Sequence, residues 1–535
     1  MQSSGTCGWP GGPLSEVTPA VHSSGIGRRR QRRLRTGTRS LDLATLIGGH
    51  WRTGVFPRAW LTSVIQPIPK IPRPLSVDDF RSITLANAVY KLLAKYLHGL
   101  LLTVLPPLPW YQAGFQPQRG TYDHVLVLRK VLDERWRAGD AVHVLALDIR
   151  GAFPNVTWRE IAAVLLQRGM PPFLLNRITS LALTDFTSIR CGRTRTGEVR
   201  TGRGVKQGCT LALHWVVATA VAQLPRFSLH LDSPDFTPLL LAYADDLLLA
   251  STDRQDLEDF LAAFVEAAAC VGLDLNFHKC NYLLRVPGAP DPLPRPVILA
   301  GREVQQVDRL LYLGALITSR LDRRGVTYHR ITKAHRAVAA LGATLRRHPL
   351  PRSVVLRIYQ SCILPSISYA QATSATIMAS RSTLRRQAAI MVGALLIHAR
   401  RAAGRFHPLR LHGVDKTTSS ITRAIRASRI RYWAHVRRSD PAGPLQRVLD
   451  FDLFPRRKPG RPCHTVVESL NQDLAQLGAP PAGWEALAMD KDGLAAHLRT
   501  ALLDDVSSND RSDSDGSDWD GEELELPSES SDEDQ

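Results

Sequence analysis

The chain has 535 residues, 44% of them hydrophobic, and a formal net charge of +19, enough for two or three domains around a large core. The charge is unevenly placed: residues 504–535 hold fourteen Asp and Glu against one Arg, so the remaining body carries 67 Lys and Arg against 35 acids, a balance that points to a polyanionic partner, most simply nucleic acid. The seven cysteines show no CxxC pair or zinc-type spacing, which argues against a zinc site and a disulfide framework; the N-terminus lacks a secretory apolar stretch, and no apolar run is long enough for a bilayer, so no membrane is expected.

Residues 1–26 are rich in Gly, Ser and Pro and read as disordered. GRRRQRRLRTGTR, residues 27–39, holds seven arginines; it suits phosphate contact, nuclear import or simply a solvated arm. Helical spacing starts at Leu41, and TSVIQPIP reads as a strand. Residues Ile83–Leu105 read as one long helix stopped by Pro106 and Pro107, and Asp123–Trp136 as another. AVHVLALDI is a β-type run that delivers Asp148 at its end. Residues 157–184 read as helical, the following segment as a hairpin with a glycine-rich exit, and 211–224 as a buried helix. LLLAYADDLLLAS, residues 239–251, reads as strand, tight turn, strand, followed by a helix over Asp256–Val271. Residues 328–400 and much of 401–450 are basic and helical; RRKPGRP, 456–462, marks a linker before a small helical unit near 463–503, and 504–535 is an acidic, disordered tail. This order mixes α and β without a regular βαβ repeat, so the fold class is α+β.

The apolar run around Asp245 and Asp246 raises a physical question, because burying an unpaired carboxylate costs several kcal/mol, roughly, unless it is neutralised or bound to a metal. Laid side by side, the strands ending at Asp148 and at the Asp245–Asp246 turn bring three carboxylates to one end of a sheet. Clustered carboxylates repel, and divalent cations relieve that repulsion. Mg²⁺ takes oxygen ligands, typically one or two carboxylates with substrate phosphate oxygens. Two such ions, roughly 3.5–4 Å apart, clamp the attacking and leaving oxygens of a phosphoryl transfer. The pattern therefore points to nucleotidyl transfer or phosphodiester cleavage; the plain alternative is a solvated turn, where Asp is common.

LAYADDLLLAS resembles the catalytic box of reverse transcriptases, and ALDIRGAF, 146–153, resembles their other metal-binding box. Further resemblances run in order: PIPK (67–70), FRSITL (80–85), QAGFQPQRGTYDHV (112–125), RGVKQGCTL (203–211), GLDLNFHKC (272–280) and YLGALI (312–317). Together they are similar to the set found in non-LTR, LINE-type retrotransposons, with RTE-like signals in RIRYWAHVRRSD (429–440) and the GRP-containing stretch after it. The resemblance covers roughly residues 45–500 and implies a right-hand polymerase. Residues 1–40 would be a disordered basic arm, 41–320 fingers and palm, 321–400 a helical thumb, 401–503 a basic helical region and 504–535 the acidic tail.

The implied function is RNA-directed DNA polymerisation from a primer 3′-OH, with an RNA template, a DNA primer or nicked target DNA, dNTP substrates and two Mg²⁺ ions. Asp148, Asp245 and Asp246 would be the metal-binding and catalytic residues. Lys70 and Arg81 match basic fingers positions that contact the incoming triphosphate, and Phe153 matches the ring that rejects a ribose 2′-OH. Gln207 and Gly208 would line the nucleotide and template site, and Lys279 would neutralise leaving pyrophosphate. Tyr312, Leu313 and Gly314 would lie at the primer grip. Trp433 and His435 are candidates for base stacking or for the core.

The sequence departs from the family pattern at Thr210–Leu213, Ser82 and Pro154, none of them a metal ligand. No endonuclease domain is recognisable, so the chain is expected to be the polymerase part of an element. Two rivals stand beside the polymerase: an inactive or domesticated nucleic-acid-binding derivative, and an intron-maturase-like RNA-binding protein. A nuclear working site is expected, and the acidic tail suits a basic protein partner or the chain's own basic groove.

Overall fold

The computed structural model describes residues 37–71, 73–183, 185–200, 204–206, 213–222, 224, 238–288, 294–319, 323–347, 350–373, 390–391, 395, 421–441, 443–447, 466–479 and 483–503. Helices α1 (Gly37–Thr53) and α2 (Arg58–Leu61) lead into β1 (Thr62–Pro69) and β2 (Phe80–Ala86). These two pair antiparallel, and β1 also pairs parallel with β4 (Phe186–Cys191), but only over Thr62–Ile65. Pro67 and Pro69 thus fall where β1 has a partner on one side alone, the position a proline tolerates in a sheet.

The helix expected over Ile83–Leu105 starts later. Ile83, Thr84 and Leu85 are paired into β2, and α3 runs from Ala88 to Val104 behind Asn87, whose side chain accepts from the Val89 N–H at 2.8 Å. Helix α4 (Thr121–Ala138) begins where the Asp123 carboxylate accepts from the Gly120 N–H at 2.9 Å and ends at Gly139, whose φ of +93° closes the helix. After β3 (Val142–Leu147) comes the short α5 (Ala152–Asn155). The helical stretch expected over 157–184 is two helices, α6 (Trp158–Gln167) and α7 (Pro172–Leu183). Gly169 adopts φ +86° between them, and the first position of α7 is a proline.

Strands β5 (Thr194–Arg195) and β6 (Val199–Arg200) pair with β4 to complete a five-stranded sheet. Helix α8 (Leu213–Ala222) precedes the hairpin of β7 (Leu239–Tyr243) and β8 (Asp246–Ser251). Helix α9 (Arg254–Cys270) follows, capped by Asp253 on the Gln255 N–H at 2.9 Å. Strands β9 (Asn281–Arg285), β10 (Arg295–Leu299) and β11 (Arg302–Val307) then complete a six-stranded sheet of order β10-β11-β9-β3-β8-β7. A separate pair, β12 (Arg309–Tyr312) and β13 (Ala315–Thr318), stands next to it in the chain.

The β3, β7 and β8 strands of the six-stranded sheet are buried on both faces. Leu145, Leu147, Leu240, Ala242, Leu247 and Leu249 belong to one core with residues of α6, α8 and α9. The alternate residues Val142, Val144, Leu239, Leu241, Leu248 and Ala250 belong to a second core. An antiparallel sheet with one wet face shows apolar–polar alternation; a sheet covered twice gives the unbroken apolar run seen around the Asp pair.

The second face is covered by α4 and by helices from the far end of the chain. Helices α10 (Arg323–Arg347), α11 (Arg352–Ile358) and α12 (Leu364–Ser368) gather around Ile331, Ala334, Val338, Tyr359, Ile363 and Ile367 as a third core. Helix α13 (Ile421–Arg437) joins the second core through Ala427, Ile430, Trp433 and Val436, with α14 (Val466–Gln476), α15 (Trp484–Met489) and α16 (Lys491–Leu503) behind it. Trp433 is 3% exposed in that core, which removes it as a base-stacking residue.

One carboxylate, Asp473 of α14, lies between two guanidinium groups of α13, at 3.5 Å from Arg426 and 3.3 Å from Arg429, and all three side chains are buried. Breaking a buried ion pair by removing one partner is far more costly than replacing the whole set. Asp473→Ala should therefore lower stability by roughly 3–5 kcal/mol, read as a shift of the urea unfolding midpoint followed by circular dichroism; an unmoved midpoint would show that the cluster holds nothing together.

Candidate active site

Tyr243 and Asp246 pair across the β7–β8 hairpin, leaving a two-residue turn of Ala244 and Asp245. Ala244 adopts φ +60°, a conformation that hairpin turns usually give to glycine. On the neighbouring strand β3, Leu147 pairs with Leu247, so Asp148 emerges beside Asp246. The exit of β3 is fixed from its other side: the Asn276 N–H donates to the Asp148 carbonyl at 2.8 Å, the Arg150 N–H donates to the Asp274 carbonyl at 2.7 Å, and the Asp148 N–H faces the Cys280 sulfur at 3.5 Å. Asp148, Asp245 and Asp246 are thereby gathered at one end of the sheet.

Their electrostatics follow from that crowding. Desolvation by the surrounding protein raises all three carboxyls above the usual range. Asp148 adds its charge against Asp245, and both add theirs against Asp246, which is pushed up to about 6. The cations that oppose the rise at Asp148 are Lys279 and then Lys70, with a hydrogen bond from the Asn276 side chain. Lys279 and Lys70 are both exposed side chains, so they flank the carboxylates from the solvent side. Arg81 is also exposed and sits across from Ile68 on the β1–β2 hairpin, two positions from Lys70. Below the turn, Tyr312 is buried with its hydroxyl 3.3 Å from His124 Nδ1, and burial together with the Asp246 charge keeps it un-ionised.

Phe153 is half-buried against the main core. Its carbonyl accepts from the Val205 N–H at 2.7 Å, while the Gly204 N–H donates to the Val156 carbonyl at 2.9 Å. A Cβ at Gly204, where φ is +83°, would stand 2.8 Å from the Pro154 Cα, so only glycine allows this approach. Gln207 and Gly208 lie outside the described residues. Lys206, just before them, is largely withdrawn from solvent: its ammonium is 2.9 Å from Asp185 and 3.7 Å from the centre of the Tyr90 ring. It thus ties the segment after β6 to α3 and to the start of β4, a contact that a basic residue in a basic chain does not announce.

The primer-grip candidates are also placed. Leu313 has φ +46° and its carbonyl accepts from the Tyr369 hydroxyl at 2.6 Å; the Gly314 carbonyl accepts from Arg330. His435 is not stacked on an open surface but paired with Asp123 at 3.3 Å, next to the Tyr432 hydroxyl, which donates to the same carboxylate at 3.2 Å.

Among the described residues, no group of three or more His, Cys, Asp and Glu side chains is arranged to hold a metal ion by itself. The three expected ligands are neighbours rather than a closed cage. That suits a cation that keeps waters and completes its shell with substrate phosphates, as Mg²⁺ does in polymerase-type sites. The donors also suit a hard cation: the three expected ligands are carboxylates, while the Cys280 thiol is buried and pushed up to about 11. The residues present fit a divalent metal.

Residues 68–317 match the reverse transcriptase (RNA-dependent DNA polymerase) family. That segment, a little under half of the chain, carries a reverse transcriptase domain. Its similar proteins are those of non-LTR retrotransposons. The 149 kDa protein of transposon TX1 from Xenopus laevis is 26% identical over 52% of this chain and 22% of its own length. The Pol polyprotein of the type-1 retrotransposable element R2 from Nasonia vitripennis is 25% identical over 50% of this chain and 27% of its own. The RNA-directed DNA polymerase of the mobile element jockey from Drosophila funebris is 26% identical over 62% of this chain and 37% of its own. The matches thus span well under half of each of these relatives. The family uses divalent metal ions and dNTPs, and the mixed helices and sheets around this segment fit an α+β right-hand polymerase fold.

The Lys206–Asp185 contact gives a test of how the segment after β6 is held. Lys206→Met alone strands a buried carboxylate and should lower stability by roughly 3–5 kcal/mol, whereas Lys206→Met with Asp185→Leu should recover most of that loss. Thermal unfolding of the four proteins of the cycle reads the coupling; additive losses would mean that the two side chains do not depend on each other.

Proposed function

We propose that the chain is an RNA-directed DNA polymerase that extends a DNA primer on an RNA template, as part of a non-LTR retrotransposon machinery. The observation that carries this reading is the convergence of Asp148, Asp245 and Asp246 at one end of the six-stranded sheet, each disfavoured as an isolated anion. In the proposed reaction the primer 3′-OH attacks the α-phosphorus of a dNTP and pyrophosphate leaves. Two Mg²⁺ ions bound at these carboxylates would lower the pKa of the 3′-OH and hold the triphosphate.

The chain's own residues supply the rest. Asp148 and Asp245 offer carboxylate oxygens from two adjacent strand ends, and Asp246 adds a third negative group beside them. Lys279 and Lys70 stand near Asp148, where positive charge suits a triphosphate and its leaving pyrophosphate. Arg81 lies close along the same hairpin, where a guanidinium fork suits phosphate oxygens. Phe153, packed against the core and accepting from the Val205 N–H through its carbonyl, is the candidate for excluding a ribose 2′-OH. Leu313 and Gly314, held by Tyr369 and Arg330, are the candidate support for the primer end. The basic face of α10 suits sequence-independent phosphate contacts. The arginine-rich segment at 27–39 supports a nuclear working site, and the acidic tail suits a basic partner.

Primer extension on an RNA template with Mg²⁺ and dNTPs, wild type beside Asp245→Ala, tests the proposal. The wild type should extend the primer, and the variant should be slower by at least about two orders of magnitude, the scale on which loss of one preorganised electrostatic contact slows a reaction. A folded wild type that binds RNA and extends nothing would overturn the polymerase reading in favour of a nucleic-acid-binding protein derived from such an element.

A further inference from the structure

Residues 111–114 run along the free edge of β7. The Ala242 N–H donates to the Tyr111 carbonyl at 2.7 Å, and the Ala113 N–H donates to the Ala242 carbonyl at 2.9 Å, a short parallel bridge beyond the last strand. Backbone pairing cannot continue past Tyr243, because the chain turns at Ala244. There the Gln112 side chain takes the place of a strand. Its Nε2 donates to the Ala244 carbonyl at 3.2 Å, and its Oε1 accepts from the Ala244 N–H at 2.9 Å and from the Gly114 N–H at 3.0 Å.

One carboxamide thus satisfies both backbone groups of the residue that precedes Asp245. The side chain is 1% exposed, so neither backbone group has water to fall back on. A primary amide is suited to this task because it carries a donor and an acceptor side by side in one plane. A carboxylate of the same length lacks the donor, and a thioether lacks both. The close fit extends to Gly114, where a Cβ would stand 2.2 Å from the Ala244 nitrogen.

We propose that Gln112 is the positioning residue of the carboxylate turn: by gripping the Ala244 backbone on both sides it sets the directions in which Asp245 and Asp246 leave the hairpin. Gln112 does not reach the metal or the substrate itself; it acts through Ala244. The link to catalysis rests on the polymerase reading, but the grip on the turn does not.

The test uses the full chain with Mn²⁺ as the probe. Mn²⁺ affinity is read from the electron paramagnetic resonance signal of the free ion, for the wild type and Gln112→Met. Affinity in the variant should fall at least about tenfold, the low end of the range seen when outer-shell partners of a metal site are removed, while its circular dichroism and RNA affinity stay at wild-type values. In primer extension, Gln112→Met and Gln112→Glu should both lower kcat by about tenfold or more and leave the dNTP KM within about twofold, because the loss lies in placement of the reacting groups and not in nucleotide binding. The Glu variant keeps the size and the two acceptor contacts and carries the test if the Met variant does not fold. A folded Gln112→Met chain with wild-type Mn²⁺ affinity would overturn the proposal, as would a loss confined to the dNTP KM. If the wild type binds Mn²⁺ but extends no primer, the polymerase reading fails and the Mn²⁺ comparison still decides the role of Gln112. A wild type that binds no Mn²⁺ removes both.

Discussion

Three carboxylates held against their mutual repulsion at the end of strands buried on both faces set the terms for the rest of this structure. A free chain would relax such a cluster by splaying its strand ends. Here each end is tied: β3 leaves the sheet under the hold of Asn276 and Cys280, and the β7–β8 turn leaves under the hold of Gln112. The strands beneath the carboxylates, β3, β7 and β8, have no wet face on which a side chain could reorient. Their stiffness keeps the repulsion in place, and a bound cation would meet carboxylates already brought together instead of having to collect them.

Burial on the second face depends on the last third of the chain. Helix α13 and the helices after it share a core with β3, β7 and β8, and α4 lies between. Asp123 is the polar link: it caps α4, accepts from Tyr432, and pairs with His435. One residue on, His124 packs against Tyr243 and reaches the Tyr312 hydroxyl, so the C-terminal helices, the carboxylate hairpin and the β12–β13 pair meet at one place. The C-terminal region is therefore part of the support of the six-stranded sheet, not only an added basic surface.

The sequence made the carboxylate hairpin legible because its pattern is local: β-type residues on both sides of a two-residue turn, with charge where the sheet ends. Strand β3 was legible for the same reason. The start of α3 was not, since RSITLA has apolar spacing compatible with helix and only its pairing with β1 makes it a strand. The break between α6 and α7 was available in Gly169 and the two prolines that follow, but the helical periodicity on either side masked it. The residues that support the site were harder still. Gln112, Lys206 and Gly204 all sit in recognisable motifs, yet their roles depend on partners roughly twenty to 130 positions away, which no local pattern encodes. Trp433 was ambiguous between core and stacking because an aromatic residue in a basic helix serves either; packing alone assigns it to the core.

The measurement that bears most directly on the account is the anomalous diffraction of Mn²⁺ in crystals of the chain with an RNA template, a primer and a non-reactive dNTP analogue. The account predicts metal between the carboxylates of Asp148 and Asp245, with the analogue's phosphates completing its coordination. Metal held elsewhere, with these carboxylates free of it while the analogue is bound, would contradict it.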